Sequence, residues 1–299
     1  MVWTGAMTAL ITPMLENEEV DYSGLTVNIS RQLQAGIAAM IVLGTTGEAP
    51  TLSSEEQAQV IKTTIETVQK AVPIIVGCGT YATKVTIANI NRAEKLGADA
   101  ALIVTPYYNC PTQEGILKHF RAIFKETSLP IILYNIPKRC GRALNIETLD
   151  LLAEEPKIIA IKEATGDMEL IQSTVSLLKK YPQIKVLSGD DVLTLPMMAL
   201  GAHGVISVVS NLFPEEVVSM VKAALQGDFR SALEIHNHML RVFQAAFIET
   251  NPMPIKAMME EAGYPAGHCR LPLCELRPES LKKIKAVLKN YHTNLQSAL

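Results

Sequence analysis

The chain has 299 residues, is 48% hydrophobic and 19% charged, and carries a formal net charge of −3. That composition describes a globular protein with ample core. It excludes a disordered chain and gives no basic footprint for nucleic acid or an anionic membrane.

Short apolar runs recur along the chain at steps of roughly thirty residues. The opening segment "MVWTGAMTALITPM" lacks the basic start and long apolar stretch of a signal peptide, and its "TALITPM", from Thr8, is the first run. "MIVLGTTGE" follows from Met40. A helix is predicted next, opened by a capping box at Ser53 and Glu56 and carrying apolar Val60, Ile61, Ile65 and Val68. "PIIVGCG" from Pro73 leads to a helix stopped by Gly97. "AALIVTPYYN" (Ala100), "PIILYNIP" (Pro130), "IIAIKEAT" (Ile158), "IKVLSGDD" (Ile184) and "GVISVVSN" (Gly204) complete the series. The charge-free window from Val192 to Pro214 is too broken and polar for a lipid-facing helix and reads as helix, turn and buried strand. A helix then starts at Pro214, with Glu215 and Glu216 in its first turn and Gly227 at its end.

None of the eight runs alternates cleanly, which suits strands covered on both faces. Eight such strands alternating with helices predict a (β/α)₈ TIM barrel over residues 1–226. Residues 227–299 hold no comparable run and read as a C-terminal helical appendage. Its helices are placed near 229–249, 254–262 and 278–291.

Active sites of such barrels form at the C-terminal ends of the strands. Here those ends read "GTTGE", "TPYYN", "YNIPKR", "KEATG", "SGDD" and "SVVSN". Lys162 closes an apolar strand, where burial disfavours the ammonium and favours a neutral amine able to form a Schiff base. The alternative is a buried stem with a snorkelling or Glu163-paired ammonium. Nearby phenols and hydroxyls favour the imine, because imine chemistry needs proton shuttles. Tyr134 ends the adjacent strand and reads either as an acid/base or as a barrel-lining aromatic. Thr45 and Thr46 offer hydroxyls to a carboxylate or simply form a polar turn. Arg139 either clamps a carboxylate or is a solvated loop charge.

Other features point away from competing chemistry. "GCGTYA", Gly77 to Ala82, imitates a dinucleotide-binding turn, but Thr105 to Tyr108 stand where its acidic partner belongs. His236 and His238 are two apart on a predicted helix and face different directions. The five cysteines show no zinc-like spacing and read as reduced thiols of a cytoplasmic protein. No metal site is expected.

With these residues collected, the chain resembles the dihydrodipicolinate synthase family along nearly its whole length. The likeness is carried by "GTTGEAPTLS", "VTPYYNCPTQEGILKHF", "PIILYNIPKRCG", "IIAIKEATGD", "LSGDD", "GAHGVISV" and "NPMPIKAMMEEAG". The resemblance implies that Lys162 captures pyruvate as an imine, with Tyr134 as the acid/base phenol. Thr45 would link Tyr134 to a second tyrosine, Tyr108, which in the family reaches into a neighbouring subunit's site. Thr46 would contact the pyruvate carboxylate, Arg139 the carboxylate of L-aspartate 4-semialdehyde, and Gly189 and Ile206 would line the site with backbone. The family is usually homotetrameric, and its imine serves in place of any added cofactor.

Sister aldolases, such as N-acetylneuraminate lyase and the 2-keto-3-deoxy-sugar acid aldolases, share the lysine and tyrosine. They generally lack the arginine after "YNIP", so Arg139 favours the synthase. Many bacterial members are inhibited by lysine in an intersubunit cleft, where Tyr107 matches a cleft tyrosine. Lysine-sensitive members tend to carry His or acidic residues at the positions of Ser54, Gln57 and Val85, and Asn at that of Tyr81. Weak or absent lysine inhibition is therefore expected.

Overall fold

The structure, a computed structural model, describes residues 3–297. Eight parallel strands close on themselves in chain order. They are β1 (Gly5–Ala9), β2 (Ala39–Val42), β3 (Ile74–Gly77), β4 (Ala100–Val104), β5 (Ile131–Asn135), β6 (Ile158–Glu163), β7 (Lys185–Ser188) and β8 (Gly204–Ser207). The connecting helices are α1 (Tyr22–Gln34), α2 (Ser54–Val68), α3 (Thr83–Lys95), α4 (Gln113–Glu126), α5 (Pro137–Cys140), α6 (Ile146–Ala153), α7 (Met168–Leu178), α8 (Thr194–Leu200) and α9 (Pro214–Leu225). The C-terminal helices α10 (Phe229–Ala245), α11 (Met253–Glu261) and α12 (Pro278–Ser297) follow. The molecule is thus a TIM barrel with C-terminal helices.

The local signals work as their chemistry requires. Ser53 caps α2, accepting from Glu56 N while the Glu56 carboxylate accepts from Ser53 N. Gly97 and Gly227 follow α3 and α9 with positive φ, where a Cβ is penalised. The first strand begins three residues before the run at Thr8 and ends at Ala9. The apolar run continues because Leu10, whose N–H still donates to Ile41 O on β2, and Ile11, beyond the ladder, are both buried. Instead, Ile11 N donates to the Asn211 side chain, whose amide in turn donates to Ala9 O.

Strand parity creates two cores. Ile131, Leu133 and Ile161 belong to the larger cluster that packs against the helices. Ile132, Tyr134, Ala160, Leu187 and Ile206 belong to the cluster inside the barrel. The helix-side core runs without a break into Met239, Phe243, Met258 and Ile284 of the C-terminal helices.

The β7–β8 ladder is short, with one registered pair, Ser188 and Val205. Buried Asp191 reinforces that seam by accepting from the Ser207 hydroxyl and from the Val208 and Val209 N–H groups. Among the described residues no helix is long and apolar enough to cross a membrane. The window from Val192 resolves into α8, a turn and β8.

Candidate active site

Ala160 faces the barrel interior, so two residues further on Lys162 faces it too, at the strand's C-terminal end. It is 6% exposed. Register places it directly across from Tyr134 on β5 and Leu187 on β7. Its Nζ lies 4.3 Å from the centroid of the Tyr134 ring. Burial pulls the amine down from 10.5 to about 8, opposed by the Asp191 charge and assisted by Arg139. Burial also pushes the Tyr134 phenol upward, with Arg139 acting against it. The pair therefore couples an amine that is partly neutral near physiological pH with a phenol that keeps its proton.

Two adjoining chambers open at this end of the barrel. The inner one, about 50 Å³, is lined by Lys162, Tyr134, Thr45, Thr46, Arg139 and Gly189, among others. The outer one, about 300 Å³, shares Thr45, Tyr134 and Arg139 and adds residues such as Glu48 and Tyr107. Six of the eight residues singled out from the sequence thus meet in one chamber. Ile206 lies in the barrel-interior cluster, and the chamber wall on that side is Val208. Tyr108 lines neither chamber of its own chain; it is 89% exposed, with φ at +68°.

The loop after β2 delivers Thr45 and Thr46. Leu43 turns into the left-handed region at φ +57°, and its carbonyl passes over β3 where a Cβ on Gly77 would stand 2.1 Å away. That close approach accounts for the first glycine of "GCGTYA" without any nucleotide. The loop ends at Glu48, also left-handed, whose buried carboxylate accepts from Lys256 Nζ at 2.7 Å and Arg270 N at 3.0 Å. Arg139 sits on the four-residue helix α5, which Pro137 starts and left-handed Gly141 stops. Asn135 and Glu163 face away from the chamber and brace this segment. Asn135 Nδ2 donates to the Glu163 carboxylate, while its Oδ1 accepts from Leu144 N. Burial pushes Glu163 up to about 7, against the pull of its hydrogen bonds to Asn135 and Thr165.

Three participants have no role assigned from sequence. Asn251 donates through Nδ2 to Thr46 Oγ1 at 3.0 Å, and its main-chain oxygen accepts from Arg139 Nη2 at 3.1 Å. Asp191, pushed up to about 6 by burial, supplies a negative field at Lys162. The Glu48–Lys256 pair is the third. Asn251 and Lys256 both lie in "NPMPIKAMMEEAG", a segment whose position over the barrel mouth only the folded chain reveals. His236 and His238 part company as their spacing predicts: one packs by Phe243, the other by Tyr291.

Residues 2–291 match the Dihydrodipicolinate synthetase family. A 4-hydroxy-tetrahydrodipicolinate synthase of Protochlamydia amoebophila is 47% identical over 289 residues, 96% of each chain. One of Methanocaldococcus jannaschii is 47% identical, over 97% of this chain and 99% of that one. The crystal structure of dihydrodipicolinate synthase from Thermotoga maritima superposes with a TM-score of 0.95 at 38% identity, covering 98% and 99% of the two chains. A variant described as the first monomeric dihydrodipicolinate synthase gives 0.94 at 38% identity, over 97% of both chains. The chain belongs to the dihydrodipicolinate synthetase family.

Proposed function

We propose that this protein is a Schiff-base-forming lyase, a 4-hydroxy-tetrahydrodipicolinate synthase that condenses pyruvate with L-aspartate 4-semialdehyde. The carrying observation is a buried lysine with a lowered pKa, in register with a buried tyrosine, in a chamber that also holds Arg139. Neutral Lys162 adds to the pyruvate ketone and water leaves, giving the imine. Loss of a methyl proton makes the enamine, whose carbon attacks the aldehyde of the second substrate. That substrate's own amine then displaces Lys162 and closes the ring. Tyr134, protonated at rest, gives and retakes the protons. Thr46 holds the pyruvate carboxylate, Arg139 that of the aldehyde, and Gly189 and Ile206 supply backbone around the site. The imine nitrogen is the electron sink, so the reaction calls on no added cofactor.

The experiment is to incubate the protein with pyruvate, reduce with borohydride and map the adduct. Label on the Lys162 peptide is expected, followed by turnover with aspartate semialdehyde and none with N-acetylneuraminate. An unlabelled protein would falsify the imine, and turnover of the sugar acid would favour a sister aldolase.

Weak inhibition by free lysine belongs to the same reading. The Gln57 amide already donates to Ala49 O and Leu52 O and accepts from Arg92, so it has little left for an ammonium. Titrating lysine to about 1 mM is expected to leave most activity intact; half-inhibition below that level contradicts the reading.

A further inference from the structure

We infer that Asn251 is a specificity-determining residue whose Oδ1 receives the α-amine of the aldehyde substrate. The inference rests on the synthase reading above and adds to it a group for the one substituent that reading leaves unrecognised.

Asn251 is 5% exposed and lines both chambers. Its Oδ1 is buried and has no hydrogen-bond partner among the described residues. A buried amide oxygen without a donor is costly and rare, so it needs an explanation. Two other polar groups of the residue are engaged. Nδ2 donates to Thr46 Oγ1, and the main-chain oxygen accepts from Arg139. This orientation has chemical sense. Because Thr46 accepts from Asn251, its own hydroxyl proton remains available to a substrate carboxylate. With the amide turned over, Thr46 would spend that proton on Asn251 instead.

The free oxygen therefore lies on a residue that bonds to both proposed carboxylate holders. In an α-amino acid aldehyde the amine and the carboxylate share a carbon. A guanidinium that grips the carboxylate fixes where the amine must be. Arg139 touches the main chain of Asn251, so an acceptor on the Asn251 side chain suits that adjacent amine. An amine is a donor, whether neutral or protonated, and Oδ1 can only accept. A site with an acceptor placed for a substrate N–H disfavours the analogue that lacks it, because the buried oxygen then stays unpaired.

The test compares L-aspartate 4-semialdehyde with succinic semialdehyde, which has the same chain without the amine. Carbon–carbon bond formation precedes ring closure, so both can be read by rapid-quench mass spectrometry of the Lys162 peptide at saturating pyruvate. The unmutated enzyme is expected to favour the amino substrate by about tenfold or more in second-order rate. Asn251→Ala is expected to erase most of that preference, losing about tenfold more rate with the amino substrate than with the other. Asn251→Asp keeps an acceptor and is expected to keep most of the preference. Equal loss with both aldehydes in Asn251→Ala overturns the inference, since it marks a residue that only braces Thr46 and Arg139. Equal rates in the unmutated enzyme overturn it too, and need no variant to fold. Failure of pyruvate to label Lys162 in the unmutated enzyme is a separate result that sinks the synthase reading itself.

Discussion

Lys162 lies where it does because residue 189 has no side chain. A Cβ on Gly189 would stand 2.9 Å from Lys162 Cε, 3.1 Å from its Cγ and 2.8 Å from the Ala164 Cβ. Gly189→Ala should therefore push the amine off its position, with an overpacking cost of about 1–3 kcal/mol. Since small misplacements at a reacting centre are costly, pyruvate capture should slow by about 10- to 100-fold, read as the rate of borohydride-trapped adduct. An unchanged rate would mean that the lysine stem simply bends aside. The pH dependence of capture follows from the same burial. With its pKa at about 8, the amine gains its neutral form as pH rises, so the capture rate should climb about tenfold between roughly pH 7 and pH 9. Stability moves in the same direction. Between about 8 and 10.5 the unfolded chain holds the Lys162 proton and the folded chain does not. The penalty is thus fully present below about pH 8 and is relieved as pH rises through that window, by at most about 3 kcal/mol. A capture rate flat between roughly pH 7 and pH 9 contradicts a neutral-amine nucleophile with that pKa.

At the level of elements, the loop carrying Thr45 and Thr46 is held from outside the barrel. Both of its ends, Leu43 and Glu48, take left-handed backbone that disfavours non-glycine residues. Glu48 stays there because its carboxylate is captured. Lys256 of α11 donates to it, and also to Thr12 O and His268 O. Both partners are almost wholly buried. Lys256→Met leaves the buried Glu48 carboxylate without its paired ammonium and should cost about 3–5 kcal/mol in urea unfolding. Adding Glu48→Gln should recover much of the loss; a double variant no better than the single one would shift the effect to packing. The same elements show what a sequence can carry. Ser53 with Glu56, Pro214 and the eight apolar runs are local signals, and local chemistry decides them. Lys162 was legible because a charge at the end of an apolar strand is conspicuous. Asn251 was not, because its partner Thr46 lies 205 residues away and no spacing rule joins them. The helix under Arg139 has four residues, too few for a period to show. Ile206 and Val208 differ only in depth along the barrel axis, which strand patterning does not encode.

For the whole molecule, the open question is where Tyr108 acts. The other polar side chains assigned to the chemistry meet inside one barrel, yet Tyr108 stands in solvent on a left-handed loop residue, away from both chambers. The family resemblance sends this tyrosine into a neighbouring copy and implies a homotetramer. The monomeric relative makes that assembly a matter for test rather than assumption. Subunit mixing separates the two arrangements. Lys162→Ala alone removes the amine from every site, and Tyr108→Phe alone weakens every site. In a mixed pair under cross-donation, the Tyr108→Phe subunit keeps Lys162 and borrows an intact tyrosine from its Lys162→Ala neighbour. One site per mixed pair is then complete. Random reassociation makes half the pairs mixed, so two poor preparations should together recover about a quarter of the unmutated activity by symmetry alone. If Tyr108 served its own chain, mixing would recover nothing, because no subunit would hold both groups. A chain that sediments as a monomer with full activity would remove cross-donation altogether, and Tyr108 would then need a loop movement to reach its own barrel.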